Sequence, residues 1–409
     1  MLTKEELRCP VYINPKNAPT TSSAVTLDTP LADLNLNWKE KDLPERERTK
    51  HVHRLHPYLG KFIPQLAEIF LRKYFTKGQT VLDPFSGSGT TLIQANELRI
   101  NAIGCDISAF NVLLSRAKIA EYNLKKMEKE VMELLSKVYQ STQIKPAQVN
   151  LEGKQLSELS ISNTDNEYLK TWFAPIALKE LLTYRYFIET GNYEYQDLLR
   201  VILSRSARSA RLTKHFDLDF PKKPQIGSYY CYKHNRQCSP TTDAYKFILR
   251  YSLDTIKRIK EFDKLRTNAN VFIYNEDSRK INFPKIDGII TSPPYVGLID
   301  YHEQHAYAYH LLGLQDRRES EIGAAVNGSS RNSQEIYQKD IANVFRNAAN
   351  SMSSEGRMIV VANDSKGLYE KIAELAGVKC EGIINRHVNR RTGRRTSEFY
   401  ESIFIWKKD

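Results

Sequence analysis

The segment Val81-Leu-Asp83-Pro-Phe-Ser-Gly87-Ser-Gly89-Thr-Thr91 constrains this chain most, because a short apolar run passes through small residues straight into a helical pattern. Thr80-Val-Leu82 reads as a buried strand and Thr90 to Leu98 as the helix after it. The glycines between them let backbone reverse tightly and come close to a bound ligand. A second unit repeats the pattern: Asn101-Ala-Ile-Gly-Cys105 as strand, Asp106 at its end, Ser108 as helix N-cap, and a helix through Ala120. Strand, helix, strand, helix in this order implies a parallel sheet. Upstream, Leu66, Ile69, Phe70 and Tyr74 recur at helical spacing from Ile63 on, and Lys77-Gly78 ends that helix.

The alternation stops near residue 121. Residues 121–268 are mainly helical in pattern, broken by a basic, proline-bearing stretch from Lys214 to Pro240. It resumes with strand-like Val271–Tyr274, Gly288–Ile290 and Arg357–Val361, then closes with Gly382–Ile384 and Phe399–Trp406, the pattern of an antiparallel hairpin. The expected fold is therefore α/β, a mostly parallel Rossmann-like sheet split by a large helical insertion. The expected division is an irregular arm over 1–50, a catalytic domain over 51–120 and 269–409, and an inserted domain over 121–268.

The 60 Lys and Arg against 48 Asp and Glu give a net charge of +12, which suits a polyanionic partner. Cys9, Cys105, Cys231, Cys238 and Cys380 are odd in number and scattered, unlike a secreted disulfide framework. With no apolar leader at Met1–Arg8 and no apolar run of membrane-spanning length, a cytoplasmic protein away from membranes is expected.

The helix start after the glycine turn offers unpaired N–H groups, a suitable seat for the methionyl carboxylate of S-adenosylmethionine, whose amino group Asp83 can receive. Asp106 can accept both ribose hydroxyls or else cap the next helix; Asp277, in Asn275-Glu-Asp-Ser278, can accept from the adenine amine or be a simple turn residue. In Asp287-Gly-Ile-Ile-Thr291-Ser-Pro-Pro-Tyr295 a strand meets two residues without backbone donors. The chain must leave the sheet there as a stiff corner, with carbonyls and a hydroxyl as fixed acceptors beside an aromatic ring.

Asp83-Pro-Phe-Ser-Gly-Ser-Gly89 and Thr291-Ser-Pro-Pro-Tyr295 resemble the cofactor and catalytic motifs of amino-methylating DNA methyltransferases. Arg54-Leu-His-Pro-Tyr58-Leu-Gly-Lys-Phe62-Ile-Pro64 is similar to the segment that precedes the cofactor motif in that family. The resemblance spans 51–120 and 271–406. It implies S-adenosylmethionine as cofactor, held by Tyr58, Lys61, Phe62, Asp83, Pro84, Phe85, Gly87, Ser88, Gly89, Thr90, Asp106, Ile107, Asp277 and Thr291. It implies duplex DNA as substrate, base flipping, and a role in restriction-modification beside a cognate endonuclease. Ser-Pro-Pro-Tyr is typical of cytosine-N4 enzymes, whereas adenine-N6 enzymes usually carry Asp or Asn for the Ser; adenine N6 is thus the alternative target, with RNA methylation and a non-catalytic DNA-binding module further behind.

An exocyclic amine is a poor nucleophile because its lone pair is delocalised into the ring. Acceptors aimed at its N–H bonds restore reactivity, a role that suits the Ser292 hydroxyl and the Pro293 carbonyl, with Pro294 stiffening the corner and Tyr295 stacking on the base. Methylation at cytosine C5 would need a cysteine nucleophile in a Pro-Cys pair, which this chain lacks.

The insertion carries Arg205, Arg208 and Arg211 every third residue, which a helix gathers on one side, followed by Lys214, Lys222, Lys223 and Arg236. These are the expected DNA-binding residues. Cys231, His234 and Cys238 have zinc-ligand chemistry, but three ligands fall short of a tetrahedral set and no second pair is in view, so no metal is expected. The stretch Arg386–Arg395 is either a DNA-backbone contact or a solvated hairpin turn. An insertion between Asp106 and Asp277 departs from the family's commoner order, where the recognition region follows the third strand, and this weakens the role given to Asp277.

Overall fold

The computed structural model describes residues 12–13, 18–58, 60, 62–143, 164–297, 300–324, 328, 330–388 and 399–408. Its strands are β1 (Tyr12–Ile13), β2 (Thr80–Asp83), β3 (Asn101–Cys105), β4 (Tyr229–Cys231), β5 (Arg236–Cys238), β6 (Val271–Tyr274), β7 (Gly288–Thr291), β8 (Arg357–Ala362), β9 (Val378–Val388) and β10 (Phe399–Lys408). The helices of the first half are α1 (Glu45–Arg48), α2 (Pro64–Tyr74), α3 (Thr90–Glu97), α4 (Ala109–Ile119), α5 (Leu124–Thr142), α6 (Glu167–Trp172) and α7 (Pro175–Thr190). Those of the second are α8 (Gln196–Ala210), α9 (Tyr245–Asp263), α10 (Tyr301–Gln304), α11 (Ala306–Leu312), α12 (Arg331–Ser351) and α13 (Tyr369–Ala376).

Eight strands build the main sheet in the order β1-β9-β10-β8-β7-β2-β3-β6. From β6 to β8 every pairing is parallel; β10 runs antiparallel to both β8 and β9, forming the expected final hairpin. Side chains alternate between the two faces with period two. Val81, Ile290, Ile359, Val361, Ile403 and Ile405 pack with α2 on one side. Leu82, Ile289, Met358, Val360, Phe404 and Trp406 pack with α12 and α13 on the other. Each such side chain, taken fully out of water, contributes about 1.5–3 kcal/mol, so the alternation decides which way every strand faces.

The chain leaves β2 for β3 and β6 on one side and returns to β7 on the other. This reversal opens a crevice beyond the carboxyl ends of β2 and β7, where ligands of open α/β sheets bind. The glycine turn leaves from β2 and the diproline corner from β7, and the two strands are paired at Val81–Gly288 and Leu82–Ile289.

Residues 18–50 are irregular, with short 3-10 turns and α1, and Val25, Leu34 and Leu36 anchor them against α2. The insertion packs closely on its neighbours. Its helices α5 to α9 share one apolar cluster with α4, α11, Val52, Leu55 and Tyr58, so it thickens the helical layer beside the sheet. Residues 144–163 of the insertion, Cys9, Lys61 and most of the Arg386–Arg395 turn lie outside the described residues. Among the described residues no helix is long and apolar enough to cross a membrane.

Candidate active site

The loop from Asp83 to Gly89 owes its shape to what α4 and the strand ends do to it. Gly89 sits at φ 78°, as N-cap of α3, and Gly87 at φ 48°, both left-handed conformations that favour glycine. A Cβ on Gly89 would lie 2.8 Å from Ser115 Oγ and one on Gly87 3.2 Å from Tyr58 Oη, so Tyr58 lies directly against the turn. Ser115 Oγ donates to the Gly87 carbonyl at 3.0 Å, and the buried Lys118 ammonium donates to the Ser88 carbonyl at 2.7 Å. The Asp106 carboxylate closes the cage, accepting from Gly87 N–H at 2.8 Å, Ser108 N–H at 2.9 Å and Asn111 Nδ2 at 3.1 Å. Ser108 is the N-cap of α4, its hydroxyl accepting from Asn111 N–H.

Beyond this loop lies an open cleft, walled by the turn, the start of α4 and the strand ends. Among the residues singled out from the sequence, Tyr58, Phe62, Pro84, Phe85, Gly87, Ser88, Thr90, Asp106, Ile107, Asp277, Ser292 and Pro294 line it together. The glycine turn and the diproline corner, some two hundred residues apart in sequence, thus share one cavity. Buried hydroxyls of Ser86 and Ser88 and the Asn111 Oδ1 have no hydrogen-bond partner, and all three residues line this cleft. Polar atoms stranded in a wall are costly unless a ligand engages them. This donor and acceptor set fits an amino-acid head and ribose like those of S-adenosylmethionine.

Other residues take different places. Asp83 is buried beneath the loop, accepting from Thr291 Oγ1 at 2.6 Å and Phe85 N–H at 3.2 Å, so it ties β2 to the start of the corner and is not on the cleft wall. Asp277 does line the cleft, but Arg279 grips its carboxylate with Nε at 2.9 and 3.1 Å and Nη2 at 2.8 Å. Burial favours the protonated form of Asp277, yet the Arg279 hydrogen bonds outweigh it and hold the carboxyl below its usual range. Tyr295 is not among the lining residues: its hydroxyl donates to Glu401 Oε1 at 3.1 Å, and its ring lies 6.4 Å from Phe399 on the terminal hairpin. The Pro294 carbonyl accepts from Tyr337 Oη at 2.9 Å, which braces the corner against α12.

Burial pushes the carboxyls of Asp83 and Asp106 up to about 6, against the hydrogen bonds from Thr291 and from Ser108 N–H that favour their ionised forms. A ligand whose hydroxyl donors reach Asp106 on the cleft wall relieves that cost there. Sequence reasoning missed Asn111, Tyr301 and Glu321 on the cleft wall. The Tyr301 ring stacks on Tyr58 at 5.9 Å, and His305 stacks on the same tyrosine at 5.5 Å, with burial holding His305 neutral by lowering it to about 3. The run Asp300-Tyr-His-Glu-Gln-His305 soon after the corner was the available signal.

The arginine stripe of α8 is the largest correction. Arg205 and Arg211 are buried, and Arg208 is nearly so. Arg205 pairs with Asp254 at 2.7 Å beneath the ring of Tyr251, Arg208 pairs with Asp219, and Arg211 donates to the Leu218 carbonyl at 2.6 Å over the ring of Tyr307. A face that spends its guanidinium groups on internal acceptors cannot track phosphates. Lys214 is half-buried beside Phe216, whereas Lys222, Lys223 and Arg236 stay exposed. Arg386, at the base of the terminal turn, is buried against Glu401.

Residues 15–116 match the family described as DNA methylase. The chain is 37% identical over 435 residues to the Type II methyltransferase M.MjaII of Methanocaldococcus jannaschii, an alignment covering 90% of this chain and 82% of that one. It is 26% identical over 309 residues to the Type II methyltransferase M.BsoBI of Geobacillus stearothermophilus, covering 69% and 56%. Identity to the Type II methyltransferase M.AvaI of a Nostoc species is 25% over 287 residues, covering 67% and 56%. The chain spans little more than half the length of these last two. With the glycine turn and Ser292 and Pro294 of the corner on one cleft, and this degree of identity over most of its length, the chain belongs to the amino-methylating DNA methyltransferases, as a Type II enzyme of the N6/N4 class.

Proposed function

We propose that this enzyme methylates the exocyclic N4 of cytosine within a specific duplex DNA site, using S-adenosylmethionine, and that a cognate endonuclease cuts the same site when it is unmodified. The observation that carries this reading is that Ser292 and Pro294 line the same cleft as Gly87 and Asp106. The cofactor, when bound, supplies an electrophilic methyl group. Asp106, Ser86, Ser88 and Asn111 offer the acceptors and donors for its ribose and amino-acid head, while Asp83 and Thr291 position the turn from below. Tyr58, braced by Tyr301 and His305, covers it.

The target base enters from outside the helix, since its amine is unreachable within the stack. The Ser292 hydroxyl and the Pro293 carbonyl accept from its two N–H bonds, which localises the nitrogen lone pair toward the methyl donor. A serine hydroxyl is too weak a base to remove a proton first, so the amine nitrogen would take the methyl group as its bond to sulfur breaks, the electron pair staying on the thioether, and the amine's extra proton would leave to solvent during or after that step. Tyr295 reaches a base only by exchanging its bond to Glu401 for a stacking position, a movement the cytosine-N4 reading requires. Nucleosides from a plasmid methylated in vitro are expected to contain N4-methylcytosine by mass spectrometry. N6-methyladenine as the sole product overturns the assignment.

For DNA contact, Lys222, Lys223 and Arg236 are the exposed cations that remain, and the insertion that carries them is the proposed target-recognition domain. Deleting one cation that neutralises a phosphate should flatten the dependence of log K on log salt by about 0.9. The double variant Lys222→Ala with Lys223→Ala is expected to weaken DNA affinity on all sequences and to lower that slope. Arg205→Ala is expected to leave the slope alone and instead lower the denaturation midpoint, because it removes a buried ion pair and leaves Asp254 with Arg258 alone. An unchanged slope in the double lysine variant, measured by fluorescence anisotropy over a salt series, removes these residues from the interface.

A further inference from the structure

We propose that His215, Cys231, His234 and Cys238 form a tetrahedral zinc site that holds the β4–β5 hairpin in shape. Sequence spacing offers only the last three; the fold brings in His215 from the loop after α8, and one ligand atom from each of the four lies within 4.8 Å of all the others. The distances have the dimensions of a metal cage. Zn–S near 2.3 Å and Zn–N near 2.0–2.1 Å at tetrahedral angles put sulfur and nitrogen about 3.6 Å apart. Cys231 Sγ lies 3.6 Å and Cys238 Sγ 3.5 Å from His234 Nδ1.

Two thiols converging on one ring nitrogen are poorly explained as hydrogen bonds, because that nitrogen has one lone pair or one proton to share. Both cysteines are free and buried. The Nδ1 of His215 is itself buried without a hydrogen-bond partner, and its ring lies 4.9 Å from that of His234.

The hairpin needs such a clamp. Its strands are three residues each, and its apolar cluster consists of Tyr229, Cys231 and Cys238, two of which are ligands. An isolated two-stranded hairpin is at best marginal in water. Around this small core the chain exposes Tyr230, Tyr232 and Ile226, the last two more than three-quarters accessible, together with Lys222, Lys223, Lys233 and Arg236. A metal is the economical way to hold so polar and so thin a module rigid while it presents aromatic and cationic groups outward.

The test is metal content of the full-length protein, purified without chelator or metal-affinity resin and measured by inductively coupled plasma mass spectrometry. About one zinc per chain is expected, lost in both Cys231→Ser and Cys238→Ser. Replacement by Co²⁺ should give the visible bands of tetrahedral cobalt and a thiolate-to-cobalt charge-transfer band. Because a cysteine variant could unfold locally, wild-type protein is also followed by hydrogen exchange: removal of zinc should deprotect residues 213–240 while S-adenosylhomocysteine binding persists. Wild-type protein without zinc that also fails to take up Co²⁺ under reducing conditions overturns the site. So does metal retained after both cysteines are replaced, which would point to the separate His51, His53 and Glu97 group. None of these readouts depends on which base is methylated.

Discussion

Ser292→Ala is expected to lower turnover by about a hundredfold or more, on the scale seen when a single polarising hydrogen bond is removed from an active site. Ser292 lines the cleft at the end of β7, whereas the groups that hold the glycine turn are Asp106, Ser115 and Lys118. The substitution deletes one acceptor and leaves the turn untouched, so affinity for S-adenosylhomocysteine should stay within a few-fold of wild type. Asp106→Ala is expected to behave oppositely. It removes the acceptor of Gly87 N–H and Ser108 N–H, at about 1–3 kcal/mol for each buried donor left unpaired, and so weakens the cofactor and the fold together. Single-turnover kinetics with calorimetric titration separate the two. Equal loss of cofactor affinity in both variants would remove the division of roles between turn and corner.

Cofactor affinity is expected to rise as pH climbs toward about 6 and to level off above it. Asp83 and Asp106 are pushed up to about 6 by burial in the protein without ligand, above the ordinary 3.8. Donors of a bound ligand reach Asp106 on the cleft wall, favour its ionised form and lower its value, so binding releases a proton and tightens as pH rises through the window. Stability of the free protein runs the other way. The folded state keeps protons on Asp83 and Asp106 that the unfolded chain has already released, so the contribution of these two groups to folding is most favourable below about 4, falls between about 4 and 6, and stays lowered above. For the buried Asp83 this amounts to about 3 kcal/mol. Titration calorimetry with S-adenosylhomocysteine from about pH 5 to 8, beside melting curves without it, checks both signs. A flat affinity over that range would mean that Asp106 does not sense the ligand.

Much of the sheet was legible because its signals are local. The expected strands at Asn101–Cys105 and Val271–Tyr274 are the observed β3 and β6, and the helix expected from Ile63 begins one residue later at Pro64. β9 and β10 extend beyond their apolar centres, since their outer residues gain ladder partners whatever their side chains. The cofactor turn was legible for the same reason: glycine at positive φ between strand and helix is a nearest-neighbour requirement.

Sequence by itself determined the alternation of faces, the glycine turn, the diproline corner and the order in which they occur, because each follows from residues within one or two turns of chain. Tertiary structure alone decided where charges and ligands are spent. Arg205 finds Asp254 from another helix, Tyr58 finds Tyr301 and His305, Tyr295 finds Glu401, and the trio Cys231, His234 and Cys238 finds His215. An arginine stripe or an incomplete set of candidate metal ligands looks the same in sequence whether it faces solvent or a partner. Only the packing of distant segments supplies the acceptor, and burial then makes that pairing obligatory.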